Sequence, residues 1–152
     1  MKKTYRYKDN DVVIFNKELA QDFLRDISWK KGDSFPLLLV FADEQLPEQI
    51  DTHFLTKLLE LPIPTVNIYS KNDPDPIEKL IDGIIIANKL EVLWTVGDTD
   101  KREALESFFL TGGPGDRKST IKSYLIIILD GNEMSVKDTL HEVVGTIEEL
   151  ND

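Results

Sequence analysis

Short apolar runs alternate with longer stretches of helical period about five times along this chain, and that alternation limits the fold more than any other feature. Val12–Phe15 ("VVIF") has the length and β-branched content of a strand. It is followed by Asn16, a good N-cap, and by Leu19, Phe23, Leu24 and Ile27 at helical spacing. Leu37–Ala42 ("LLLVFA") is apolar throughout, as a strand buried on both faces must be. A helix opened by Pro47 is then expected, with Ile50, Phe54, Leu55, Leu58 and Leu59 on one stripe. Pro62 and Pro64 stop it and lead into a strand at Thr65–Ser70. Asp75–Glu78 ("DPIE") reads as a capping box opening a helix through Ile77, Leu80, Ile81 and Ile84, whose tail Gly83–Ala87 fits helix or strand equally. A strand at Glu91–Val96, a helix capped by Asp100–Glu103 and carrying Leu105, Phe108 and Phe109, and a strand at Tyr124–Leu129 follow. Ser135 and Asp138 form a last capping box ahead of Val136, Leu140, Val143, Val144, Ile147 and Leu150.

Strands that alternate with helices call for right-handed crossovers and a mostly parallel sheet. The expected fold is therefore one α/β domain over residues 1–152, a three-layer α/β/α sandwich around about five strands, flavodoxin-like or Rossmann-like in outline. No linker, repeat or low-complexity segment interrupts it. The opening "TYRYKDNDVVIF" has the alternative of a hairpin about the "DND" turn, which would add an edge strand of the opposite direction.

Composition narrows the function classes. With no cysteine, disulfides, thiolate metal sites and cysteine nucleophiles are excluded. Eighteen basic against 28 acidic side chains give a net charge of −10, the wrong balance for gripping a phosphate backbone and the right one for solubility or for steering in a basic partner. The apolar runs are too short to span a bilayer, and the two lysines at the start precede no apolar run of a secretory signal, so a cytoplasmic location is expected.

The stretch Thr111–Thr120 ("TGGPGDRKST") nearly spells a phosphate-binding loop. Arg117 stands where such a loop needs its second glycine, and the expected order around it is helix to strand rather than strand to helix. Its glycines and proline read instead as a helix stop and a turn, leaving Arg117, Lys118 and Lys122 as a small basic island.

Ligands of parallel sheets bind beyond the carboxyl ends of the strands. Those ends carry Asp43 and Glu44, then Asp98 and Asp100, then Asp130, a set of oxygen ligands suited to Mg²⁺ if they converge. "FADE" (Phe41–Glu44) followed two strands later by "VGDTD" (Val96–Asp100) resembles Toprim domains, which implies magnesium-dependent cutting or joining of nucleic acid. Gln45 takes the place of the glycine that usually follows the glutamate there. Asp43, Glu44 and Asp98 also resemble the acidic pair and phosphoacceptor of response-regulator receivers, although no lysine follows "YLIIILDGN". Capping and turn roles account for most of these acids without any metal.

His53 and His141 each fall on a helix without a ligand partner four residues on, and no Ser-His-Asp arrangement is visible. Trp94 is expected in the core; Trp29, in "ISWKKGD", has the setting of an exposed interface anchor. No catalytic residue and no cofactor are assigned. The leading expectation is a non-enzymatic acidic binding protein that captures a protein partner; in size, charge and lack of motifs it is similar to small bacterial immunity proteins. A magnesium-dependent phosphotransfer or Toprim-like enzyme using Glu44, Asp98 and Asp100 is the alternative.

Overall fold

The computed structural model describes residues 2–26, 28–41, 50–111, 120–129 and 133–151. Its elements in chain order are β1 (Lys2–Tyr7), β2 (Asn10–Asn16), α1 (Lys17–Asp26), β3 (Asp33–Ser34), β4 (Leu37–Phe41), α2 (Thr52–Leu59), β5 (Thr65–Ser70), α3 (Asp75–Ala87), β6 (Trp94–Asp98), α4 (Lys101–Thr111), β7 (Thr120–Ile121), β8 (Ser123–Ile128) and α5 (Glu133–Asn151). Six strands form one mixed, mostly parallel sheet in the order β1-β2-β8-β4-β5-β6, and β3 and β7 form a small parallel pair beside it.

Only β1 is antiparallel, pairing with β2 through a turn at Lys8–Asp9. The hairpin that the sequence offered as an alternative is thus present, with its turn slightly ahead of "DND". In chain order the five parallel strands lie 1-5-2-3-4 across the sheet. Neither the flavodoxin-like nor the Rossmann-like order places its last strand between the first and second.

Side chains along each strand point to alternate faces and feed two cores. Leu37, Leu39, Phe41, Val66, Ile68, Leu125 and Ile127 pack with Ala20 of α1, Phe54, Leu55 and Leu58 of α2, and Ile77, Ile81 and Ile84 of α3. Val12, Ile14, Leu38, Val40, Tyr69, Ile126 and Ile128 pack with Ala104, Leu105, Phe108 and Phe109 of α4 and Val143 and Ile147 of α5. The second core is aromatic: Tyr7, Phe108, Phe109 and Tyr124 stand with ring centroids 4.9 to 5.7 Å apart.

Several boundaries depart from the sequence expectation for local reasons. Gly83–Ala87 is helix, because Ile84 joins the stripe of Ile77 and Ile81. The expected capping box at Asp75 does not form: Pro74 is the cap residue, without a side-chain bond, and Asp75 already lies in the helix. The strand expected at Glu91–Val96 begins only at Trp94, after α3 ends in a Schellman-type turn. There Leu90 N–H donates to Ile85 O at 3.0 Å and Lys89 N–H to Ile86 O at 3.3 Å, with Lys89 in the left-handed region at φ 53°. The structure starts α2 at Thr52, where Asp51 Oδ1 accepts from Phe54 N at 3.0 Å; Pro47 and Ile27 lie outside the described residues. α5 begins at Glu133, so Ser135 lies inside the helix rather than capping it.

Candidate functional site

The described carboxyl edge of the sheet offers one clear pair of acids, Asp98 and Asp100. Asp98 is the last residue of β6 and stands in register with Tyr69 of β5. The helix after β5 packs on one face and the helix after β6 on the other, so the chain leaves these two strand ends in opposite directions. Such divergence opens a crevice where ligands of parallel sheets bind. Burial, together with the neighbouring Asp100 carboxylate, raises the Asp98 pKa above the ordinary aspartate value. Asp100 does what the sequence implied: its Oδ1 accepts from Glu103 N at 2.9 Å, capping α4. Lys101 does not pair with either acid in the described contacts but lies over the Tyr69 ring, 5.3 Å from its centroid.

Asp43, Glu44 and Asp130 lie outside the described residues, as do residues 112–119 of the glycine loop. Of the five strand-end carboxylates named from the sequence, the described residues include Asp98 and Asp100, of which Asp100 is engaged as a cap. Among the described residues no group of three or more His, Asp or Glu side chains is close enough to share a cation. The order around the glycine loop is helix to strand, α4 before it and β7 after it.

β6 is an edge strand, and its two faces differ. On the α3 face Gly97 lies against Pro74, so close that a Cβ on Gly97 would stand 2.7 Å from Pro74 Cβ. Glu78 also lies against Gly97, and its pKa is raised, by burial first and then by Asp75, with the Gly97 N–H acting the other way. Two residues back, Thr95 Oγ1 donates to Asp82 Oδ1 at 2.8 Å. The other face carries Trp94, Val96 and Asp98, the strand neighbours of Thr65, Asn67 and Tyr69. The β5 residues are buried beneath α4, where Asn67 Nδ2 bonds Ser107 Oγ at 3.2 Å. Their β6 neighbours are not: Trp94, expected in the core, is only half-buried, and Val96 is exposed.

The flank of α4 turned toward β6 is the one opposite Arg102, which faces α5, and it carries Ser107, the partner of Asn67 on β5. Residues 103, 107 and 110 share that flank by helical spacing, which puts Glu103 and Leu110 beside Ser107. Leu110 is 61% exposed. On the α3 side, the run Glu78–Gly97, Asp82–Thr95 continues to Ile86 and Leu93, which are 77% and 59% exposed. Six large apolar side chains are exposed among the described residues; Val96 lies on β6, Leu93 directly precedes it, and helical spacing puts Ile86 and Leu110 on the flanks of α3 and α4 turned toward it. Leu110 was detectable in the sequence as a leucine off the stripe of Leu105, Phe108 and Phe109. The same holds for Val96, the one aliphatic residue in "TVGDTD".

Net negative charge is somewhat greater on the α4 and α5 side. These two helices carry seven acidic and three basic residues, against six and four on α1, α2 and α3, which are together about as long. The guanidinium of Arg102 is shared by Glu106 (3.4 Å), Glu142 (3.6 Å) and Glu149, which ties α4 to α5 and absorbs the one arginine there. Trp29 is 52% exposed, as expected of an anchor, on a groove of about 440 Å³ with Pro62, Pro64 and Leu90. A second groove, about 530 Å³, lies between α1 and α2 over Leu24, Phe54 and Leu61. His53 and His141 are both exposed. No helix in the described residues is long and apolar enough to cross a membrane. Against known proteins, no family model, curated sequence or solved structure matches the chain.

Proposed function

We propose that this chain is a non-enzymatic cytoplasmic binding protein, a three-layer α/β/α domain of immunity-protein-like profile that captures a basic protein partner. The observation that carries this reading is the distribution of charge. The acids are spread almost evenly over the helices, but with fewer bases beside them α4 and α5 are the more negative pair, and their only arginine is already held by three carboxylates. Glu133, Asp138 and Glu148 are exposed there and make no ion pair among the described residues, so their field acts on whatever approaches. Exposed like charges of this kind contribute little to the fold and are best used in steering a partner of the opposite sign.

The test is retention of proteins from a cell extract on the immobilised chain at low and at high ionic strength. A basic protein held at low salt and released at high salt is the expected outcome. Retention of nothing, or of salt-insensitive partners alone, overturns the reading.

A second reading, a magnesium-dependent phosphotransfer or Toprim-like site, draws on the position of Asp98 at the divergence of the β5 and β6 connections. Calorimetric titration with Mg²⁺, repeated on Asp98→Asn, tests it: absent binding, or binding untouched by the substitution, removes it.

A further inference from the structure

We infer that the partner docks along the trough between β6 and the facing flank of α4, setting lysine or arginine side chains against Asp98, Asp100 and Glu103 and an apolar side chain over Val96 and Leu110. This rests on the basic-partner reading above and gives it a place.

Coverage of the sheet is the first argument. α4 buries the β5 residues Thr65, Asn67 and Tyr69, but one strand further out it leaves Val96 exposed and Trp94 half-covered. A sheet whose last strand is apolar and uncovered on one face, next to a helix flank ending in an exposed leucine, has the apolar centre of an interface. The second argument is polarity along the trough. Its end at the carboxyl terminus of β6 holds Asp98, Asp100 and Glu103, and its other end holds Trp94, Val96 and Leu110. The one cation at the acidic end, Lys101, lies over Tyr69 and makes no ion pair with these acids among the described residues, and Arg102 turns to α5. Asp98 is partly desolvated, has an acidic neighbour and makes no ion pair among the described residues, so an arriving guanidinium would relieve a repulsion as well as form a bond. Asp100 spends Oδ1 on the helix cap and keeps Oδ2 for a second contact. A basic segment that also carries apolar side chains matches both ends; a purely cationic one matches only the acidic end.

The experiment measures anisotropy of a labelled peptide of alternating arginine and valine on the intact chain, with an oligo-arginine peptide of equal charge for comparison. The mixed peptide is expected to bind the more tightly. Val96→Ser, Leu110→Ser and Asp98→Asn should each weaken it roughly tenfold, while Glu60→Gln at the end of α2, on the opposite face, changes it less than about twofold. All four sites are at least partly solvent-accessible, and a cooperative thermal transition at or above the wild-type midpoint shows that each variant remains folded. Equal binding of the two peptides overturns the proposal. So does loss of binding in α5 variants with β6 and α4 variants unaffected, in which case the basic-partner reading stands and only the location fails. Failure of every cationic peptide to bind removes the reading and the location together. A dimer in light scattering that Val96→Ser dissociates would make the occupant a second copy of this chain, and also overturns the proposal.

Discussion

The two edges of the sheet are finished in opposite ways. β1 is antiparallel and rich in cations, with Lys2, Lys3 and Arg6 in six residues, and no large exposed apolar side chain lies on it. Its charges turn back on their own hairpin: Arg6 pairs with Asp11 at 3.0 Å, and Lys2 lies over the Phe15 ring at 5.7 Å. Lysine-rich edges discourage further strand pairing. β6 is parallel, has no basic residue, and is bordered by four exposed apolar side chains and a row of carboxylates. One edge is closed against association, and the other has the composition of a contact surface. In a chain of net charge −10, this separates the basic strip from the acidic and apolar one by the full width of the sheet.

The strongest way to break the comparison is to loosen α4 over β5 and β6. Phe108→Ala empties a fully buried position and should cost about 3–5 kcal/mol in urea unfolding. Thr4→Ala on exposed β1 should stay within about 0.5 kcal/mol. Gly97→Ala comes next, at about 1–3 kcal/mol, because its Cβ would meet Pro74 and force α3 away from β6. Each edge strand also has a lysine in the left-handed region next to it, Lys8 at φ 54° after β1 and Lys89 at φ 53° before β6. Replacing either by glycine should stabilise by about 0.5–1 kcal/mol, read as a higher urea midpoint. Equal gains at both would show that neither strain is tied to the edge it serves.

The smallest effect concerns pH. The Asp98 pKa is raised in the folded state, by burial and by Asp100, so folding favours its protonated form. Stability from this group is fully present below the ordinary aspartate value and is lost as pH rises through the raised one. Asp98→Asn should therefore match the wild type in acid and exceed it in stability above that window, measured as the unfolding midpoint across the carboxylate range. A parallel shift at all pH values would mean that the gain does not come from titration.

Element types were legible wherever periodicity was strong. Leu37–Phe41, Thr65–Ser70 and the stripe on α5 follow directly from burial on two faces or one. Misplaced boundaries were those where a side chain had two uses. Asp75 and Glu78 spell a capping box, but Glu78 lies against Gly97 of a strand nearly twenty residues on, a contact that no local pattern encodes. Trp94 looked like core because it sits in a β-rich run; it is half-buried because β6 ends the sheet, and strand order is a property of long-range pairing. Of the candidate site, the capping role of Asp100 could be read from spacing alone, whereas the apolar border of β6 required knowing which strand is last.

The position of β8 carries a further consequence. Within the sheet it is the sole link between the β1–β2 hairpin and the β4–β5–β6 block, yet it is the last strand in the chain. As the chain is synthesised, the hairpin and the block must wait unjoined until residue 128 has emerged, each exposing an unpaired strand that later becomes interior. Pairings of such large sequence separation make folding slow and leave the nascent chain open to misassociation. The same arrangement makes β8 the strand whose loss, by truncation or by a proline within it, would split the sheet in two rather than merely shorten it.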